Sequence, residues 1–270
     1  MLKVYAVYSK SHQDLFDKYF FPSLQNTDLE LHVKKCHEIG SWEYLQEDYL
    51  KSILYKVDTI IKAIRENHND IFIFSDVDII FFQKVSKDLI FLLGDNDIVF
   101  LSDNYRKTIV CTGFFICRGN LRTLNLWMKC RKRLEHAILE KIPMHDQDFI
   151  NKILHEKPKI VKFGYLPLDR YYCPRDFLKL ENIFPIPRNI CIYHANWIIQ
   201  TQNISWIQHK EFLLDKAQEI IYSHKGISSL RYFMRYFSRL PFRTSMYYIS
   251  VVKKISILKI YKIYSKNRKI

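Results

Sequence analysis

The chain has 270 residues, 48% of them hydrophobic and 26% charged, proportions that exclude global disorder. Six glycines and eight prolines exclude collagen-like and low-complexity architectures. The net charge of +14 is uneven: residues 225–270 carry twelve Lys/Arg and no acid, whereas residues 1–224 hold 30 Lys/Arg against 28 Asp/Glu. The body is therefore not expected to bind nucleic acid. The six cysteines, at positions 36, 111, 117, 130, 173 and 191, form no CxxC and no paired spacing. Neither a structural zinc site nor a disulfide framework is expected, and reduced thiols suit a cytoplasmic location. Met1–Tyr8 is too short and too alternating for a signal-peptide core, and no apolar run reaches the ~18 residues a membrane span needs.

Residues 3–8 predict a first strand and Glu30–Val33 a second. Between Tyr49 and Asn67, Leu50, Ile53, Leu54, Val57, Ile60, Ile61 and Ile64 recur at helical spacing. Asn67–Asp70 ends that helix and leads into Ile71–Phe74, an apolar run of the buried-strand kind. A second run, Ile79–Phe82, follows Ser75–Asp78. Strands are predicted over 97–101 and 113–117, helices over 121–140 and 146–154, and a late strand over 190–193 ending at His194. Strands alternating with helices predict an α/β fold with a mixed, mainly parallel central sheet. GxGxxG and GxxxxGK[ST] are both absent, which disfavours a dinucleotide-binding domain or a P-loop.

Asp76 and Asp78 form an Asp-x-Asp at the end of a buried strand. At strand period the two side chains share one side, and such carboxylates are costly unless a cation sits between them. A divalent cation bridging to a diphosphate would stabilise both, and oxygen ligands suit Mg²⁺ or Mn²⁺. A polar turn would also explain the triplet, but such a turn seldom separates two apolar strands.

The segment Ile73–Phe81 resembles the strand and metal motif of GT-A-fold nucleotide-diphospho-sugar transferases, most of all the retaining glycosyltransferases of families 77 and 8. Cys111–Ile116 resembles their donor-sugar segment, Asp146–Asn151 their Asp-Gln-Asp-x-x-Asn helix start, and Tyr193–Trp197 their late His segment. The motifs stand in the family order over about residues 1–200. The resemblance implies a Rossmann-like GT-A domain over 1–224. In it, Asp76, Asp78 and His194 hold Mn²⁺ or Mg²⁺, and Asp146, Gln147 and Asp148 lie near the reacting carbon. Tyr8, Lys56, Asp76, Thr112, Gly113 and Asn196 become donor-binding candidates, with Lys51 in reserve to Lys56. Cys111 stands where Asn is common, and the Gly-x-x-Lys-Pro-Trp run of family 8, with its phosphate-gripping lysine, is missing. Helix capping accounts equally well for Asp146 and Asp148, as does a core position for His194. Trp42 and Trp197 suit either acceptor stacking or the core.

In the tail, Arg231, Arg235, Arg239 and Arg243 form one row on a predicted helix, with Tyr232, Phe233, Tyr236 and Phe237 among them. Such a basic amphipathic segment suits an anionic membrane surface. The expected protein is a metal-dependent glycosyltransferase on the inner face of the plasma membrane. It would carry a sugar from a nucleotide diphosphate, UDP above all, to a lipid-linked or surface glycan with retention. The alternatives are a nucleotidyltransferase, or a non-enzymatic membrane- or nucleic-acid-binding protein acting through the tail.

Overall fold

Ile71–Phe74 is apolar on both faces because it lies at the centre of a sheet with helices on each side. In the computed structural model, which describes residues 1–25, 27–36, 47–103, 107–173, 186–187, 189–196 and 205–222, it belongs to strand β3 (Ile71–Ser75). The sheet runs β2 (Leu29–Lys35), β1 (Leu2–Tyr8), β3, β6 (Val110–Arg118), β5 (Ile98–Ser102) and β7 (Phe163–Tyr165). The β1–β2, β1–β3 and β5–β7 pairs are parallel, whereas β6 runs antiparallel to both its neighbours. The expected mixed, mainly parallel sheet is present.

One face carries α3 (Glu47–Glu66), α5 (Leu121–Leu139) and α6 (Asp146–Glu156), which pack on Phe72, Phe74, Phe100 and Phe115. The α3 stripe predicted from Leu50 to Ile64 supplies that layer. The other face packs Ile73, Phe114 and Ile116 against Phe16 and Phe20, and against Leu89 and Leu93 of α4 (Ser86–Leu93). Phe16 and Phe20 belong to a helical stretch that begins in α1 (Gln13–Leu15), passes through a π turn and ends in α2 (Phe21–Leu24).

Ile79–Phe81, β4, leaves the main sheet and joins a small one in the order β4, β9 (Ile192–His194), β8 (Tyr171–Tyr172). A further helix, α7 (Trp206–Tyr222), packs Leu213, Leu214 and Ala217 against Tyr193, Tyr172 and Ile80. No helix among the described residues is long and apolar enough to cross a membrane. The tail 225–270, the 224/225 boundary, Trp42 and Trp197 lie outside the described residues.

A register shift in β6 governs the site. Phe100 faces Phe115 across the β5–β6 pair, but the next β5 residue, Leu101, faces Cys111. Thr112, Gly113 and Phe114 therefore have no β5 partner, while β6 keeps its pairing with β3 up to Ser75↔Phe114. Below the shift Phe115 and Cys117 face α3 and α5; above it Cys111 faces the opposite layer.

Gly119, just after β6, accepts the close passage of the α3 end. A Cβ there would overlap the Asn67 carbonyl and lie 2.7 Å from Ile64 O. Gly119→Ala is expected to cost about 3 kcal/mol, the upper end of overpacking penalties, read as a lower denaturant midpoint at unchanged slope.

Candidate active site

The carboxyl ends of β1 and β3 lie together because the strands are parallel, with Ala6 beside Ser75. The chain turns there, and Asp76 N donates to Gly113 O at 2.7 Å, which places Asp76 beside the unopposed part of β6. Three residues after Asp76, β4 begins and pairs with β9 so that Ile79 faces His194, and Ala195 N donates to Asp78 O at 2.9 Å. These pairings bring Asp76, Asp78 and His194 to one place, with one ligand atom of each lying within 4.8 Å of the others.

His194 Nε2 lies 3.2 Å from Asp78 Oδ1, yet neither atom has a hydrogen-bond partner of acceptable geometry. Asp78 and His194 are both buried. A Cβ at Gly113 would overlap the His194 ring and lie 2.8 Å from Asp76 Oδ2 and 3.0 Å from His194 Nε2. The glycine thus leaves a cradle between these groups. Two carboxylates and an imidazole, two of their buried atoms unpartnered, fit a divalent cation of the Mg²⁺/Mn²⁺ class.

Two lysines close the charge balance. Lys56 reaches from α3 with its ammonium 3.0 Å from Asp76 Oδ1 and 3.3 Å from Asp146 Oδ2, and 5.4 Å above the Phe74 ring. Burial alone would lower the Lys56 pKa, but Asp146 and Asp76 hold it well above the usual lysine range. Lys210 reaches from α7 to Asp78 Oδ2. Burial pushes the Asp78 pKa up, and the charges of Lys210 and His194 pull it far below the carboxylate range. Burial likewise opposes protonation of His194, yet Asp78 first, then Cys111, raise its pKa to about 10. Asp146 is also held well below its ordinary value: Lys56 and His145 outweigh its burial.

Asp146 and Gln147 open α6. Asn151, one turn on, clamps β6 by accepting from Val110 N at 2.9 Å and donating to Val110 O at 3.0 Å. The Thr112 N–H, released from the β5 ladder, donates instead to Gln147 Oε1 at 3.4 Å. Gln147 Nε2 donates to Asp103 Oδ2 at 3.0 Å, and Asn196 Nδ2 to Asp103 Oδ1 at 3.2 Å. Gly113 and Thr112 thus join Gln147, Asn196 and the metal-ligand candidates in one cluster.

The structure does not bring every candidate into that cluster. The Asp148 side chain is 44% exposed and accepts from His145 N at 3.1 Å, which caps α6. Tyr8 ends β1 with its ring stacked on Phe16, centroids 4.4 Å apart. Lys51 lies beside Asp48 on α3 at 4.0 Å. Sequence reasoning missed Lys210 and Asp103. Asp103 follows β5 as Asp76 follows β3, a strand-end acid of the same kind. For Lys210 no local signal exists.

Residues 38–203 match the family of nucleotide-diphospho-sugar transferases, and the chain belongs to that family. Its fold is the GT-A fold, with a mixed, mainly parallel central sheet. No curated protein matches the sequence. The fold is similar to that of the glycosyltransferase GlyE of Streptococcus pneumoniae TIGR4, with a TM-score of 0.53 and 13% identity over 84% of this chain. It is also similar to the WbbM bifunctional glycosyltransferase, with a TM-score of 0.50 and 9% identity over 82% of this chain. The chain spans 65% of the GlyE chain and 50% of the WbbM chain.

Proposed function

We propose that the protein is a metal-dependent, retaining glycosyltransferase that moves a hexose or pentose from a UDP-sugar to a saccharide hydroxyl of a lipid-linked or surface glycan. The observation that carries metal dependence is the cradle at Gly113, walled by Asp76 and His194 beside the unpartnered Asp78 Oδ1. Asp76, Asp78 and His194 would hold Mn²⁺ or Mg²⁺, which when bound supplies Lewis-acid stabilisation of the departing diphosphate. Lys56 and Lys210 neutralise the same carboxylates and can turn their ammonium groups to diphosphate oxygens as the donor enters. Gln147 and Asn196, both held by Asp103, would hydrogen-bond the donor sugar, with Thr112 and Gly113 forming the wall behind it. Asp146 is anionic and sits beside Lys56, where it can stabilise positive charge developing at the anomeric carbon. Tyr8, at the end of β1, would meet the nucleotide base.

Calorimetric titration of UDP tests this reading. Binding is expected with Mn²⁺, and a loss of at least about a hundredfold with EDTA, which removes the cation, or in Asp78→Ala, which leaves a single carboxylate to hold it. Equal binding in all three conditions would remove the metal from the mechanism.

Residues 225–270 are proposed to hold the enzyme on the cytoplasmic face of an anionic membrane, an inference from their twelve basic residues and absent acids. At ~1 kcal/mol per basic residue near such a surface, replacing Arg231, Arg235, Arg239 and Arg243 together by glutamate should weaken partitioning onto phosphatidylglycerol vesicles by on the order of a thousandfold or more. UDP binding should stay unchanged. Equal partitioning of both proteins would assign the tail to another role.

A further inference from the structure

The cysteine spacing gives no sign of a metal site, but the fold joins two cysteines 62 positions apart. Cys111 and Cys173 are buried free thiols. Their sulfurs lie 3.6 Å and 3.9 Å from His194 Nδ1, and the three ligand atoms are all within 4.8 Å of one another. The β6 register shift is the cause, since it turns Cys111 away from α3 and α5 and toward β9. Tetrahedral zinc, with bonds of about 2.3 Å to sulfur and about 2.0 Å to nitrogen, spaces sulfur and nitrogen ligands by roughly 3.5 Å. The two sulfur–nitrogen spacings are therefore those of ligands around one such ion to within a few tenths of an ångström.

We propose that Cys111, Cys173 and His194 form a second metal site, selective for a thiophilic divalent ion of the zinc class. Two thiolates and an imidazole select such an ion over Mg²⁺ or Mn²⁺. Binding displaces the protons of both thiols and of Nδ1, so the ring proton left on His194 resides on Nε2. Asp78 Oδ1, 3.2 Å from Nε2, then accepts that proton's hydrogen bond, the usual outer-shell arrangement around a metal-bound histidine. In that state Nε2 has no lone pair for a second cation. Occupancy of the thiol site thus withdraws His194 from the Asp76/Asp78 site, and zinc antagonises manganese-dependent donor binding. This coupling rests on the donor reading above; the thiol site itself does not.

The test titrates the reduced full-length protein with Co²⁺ under argon. A thiolate-to-cobalt charge-transfer band should saturate at about one ion per chain, disappear on adding Zn²⁺, persist in Cys36→Ser and be lost in Cys111→Ser and in Cys173→Ser. Cobalt held by Asp76 and Asp78 gives no sulfur band, so the two sites are told apart. Cadmium NMR on the unaltered protein reads sulfur ligation without any substitution. No band and no sulfur-shifted cadmium resonance in folded protein overturns the site. In the same samples, one equivalent of Zn²⁺ should weaken Mn²⁺-dependent UDP binding at least tenfold in the wild type and leave Cys173→Ser unaffected. A sulfur band with UDP binding indifferent to zinc overturns the sharing of His194. A sulfur band with no UDP binding under any condition overturns the donor reading and leaves the thiol site standing.

Discussion

Gly113→Ala is expected to abolish Mn²⁺-dependent UDP binding, a loss of a hundredfold or more, while the protein stays folded. The added methyl group has no open space. It overlaps the His194 ring and meets Asp76 Oδ2, and the backbone of residue 113 cannot retreat because its carbonyl accepts from Asp76 N. The ring and the carboxylate must move apart, and they are the groups proposed to close on the cation. The stability cost should be about 1–3 kcal/mol, the usual range for overpacking. Calorimetry with UDP and Mn²⁺, paired with a thermal melt, separates the two effects. Wild-type affinity in Gly113→Ala would mean that the cation sits elsewhere.

Lys56→Met is the second large effect, and it acts on the whole molecule. The substitution keeps the aliphatic stem over Phe74 and deletes the charge between Asp76 and Asp146, leaving the buried Asp146 carboxylate without its lysine. Breaking one side of a buried pair typically costs about 3–5 kcal/mol. The sign of the pH dependence follows from the direction of the shift. In the wild type the Asp146 pKa is depressed, so its contribution is present above the unfolded value of about 3.9 and is lost as pH falls. Without Lys56 the burial of Asp146 raises its pKa instead, and the penalty of that carboxylate grows as pH rises. The stability gap between wild type and variant should therefore widen from about pH 4 to pH 7 in urea denaturation. Adding Asp146→Asn to Lys56→Met should recover part of the loss, and a double-mutant cycle reads the coupling. A gap independent of pH would mean that the lysine acts through packing alone.

What the sequence disclosed was local. Asp76 and Asp78 are legible because an acid pair at the end of an apolar run is unusual within nine consecutive residues, and Asp146–Asn151 because a helix start concentrates its chemistry in one turn. The strand and helix stripes from Leu50 to Phe74 are equally local, since periodicity reports burial directly. The partners that tune those residues were not legible. Lys210 lies in a helix whose apolar spacing, Leu213, Ala217 and Ile220, is recognisable, but nothing in that spacing says which buried acid its neighbour reaches. Cys173 approaches Cys111 only because β8 and β9 lie side by side. Ile79–Phe82 reads as a strand, and it is one, yet its removal to a separate sheet is decided by its pairing with β9. That pairing is a tertiary choice, and it is what sets His194 beside Asp78.

The three unopposed residues of β6 also change the parity of the strand. Below them odd-numbered residues face α3 and α5; above them Val110, an even-numbered one, does. The same strand therefore carries two independent alphabets, one written for the hydrophobic interior and one for chemistry. Mutations that repack Phe115 to Cys117 need not disturb the orientation of Cys111. Length changes between Asp103 and Val110 likewise enter above the break, where no rung of the β5 ladder below Leu101 has to slip. A lineage carrying this fold can thus revise the edge that bears the candidate site by insertion and deletion while the centre of the sheet is inherited unchanged.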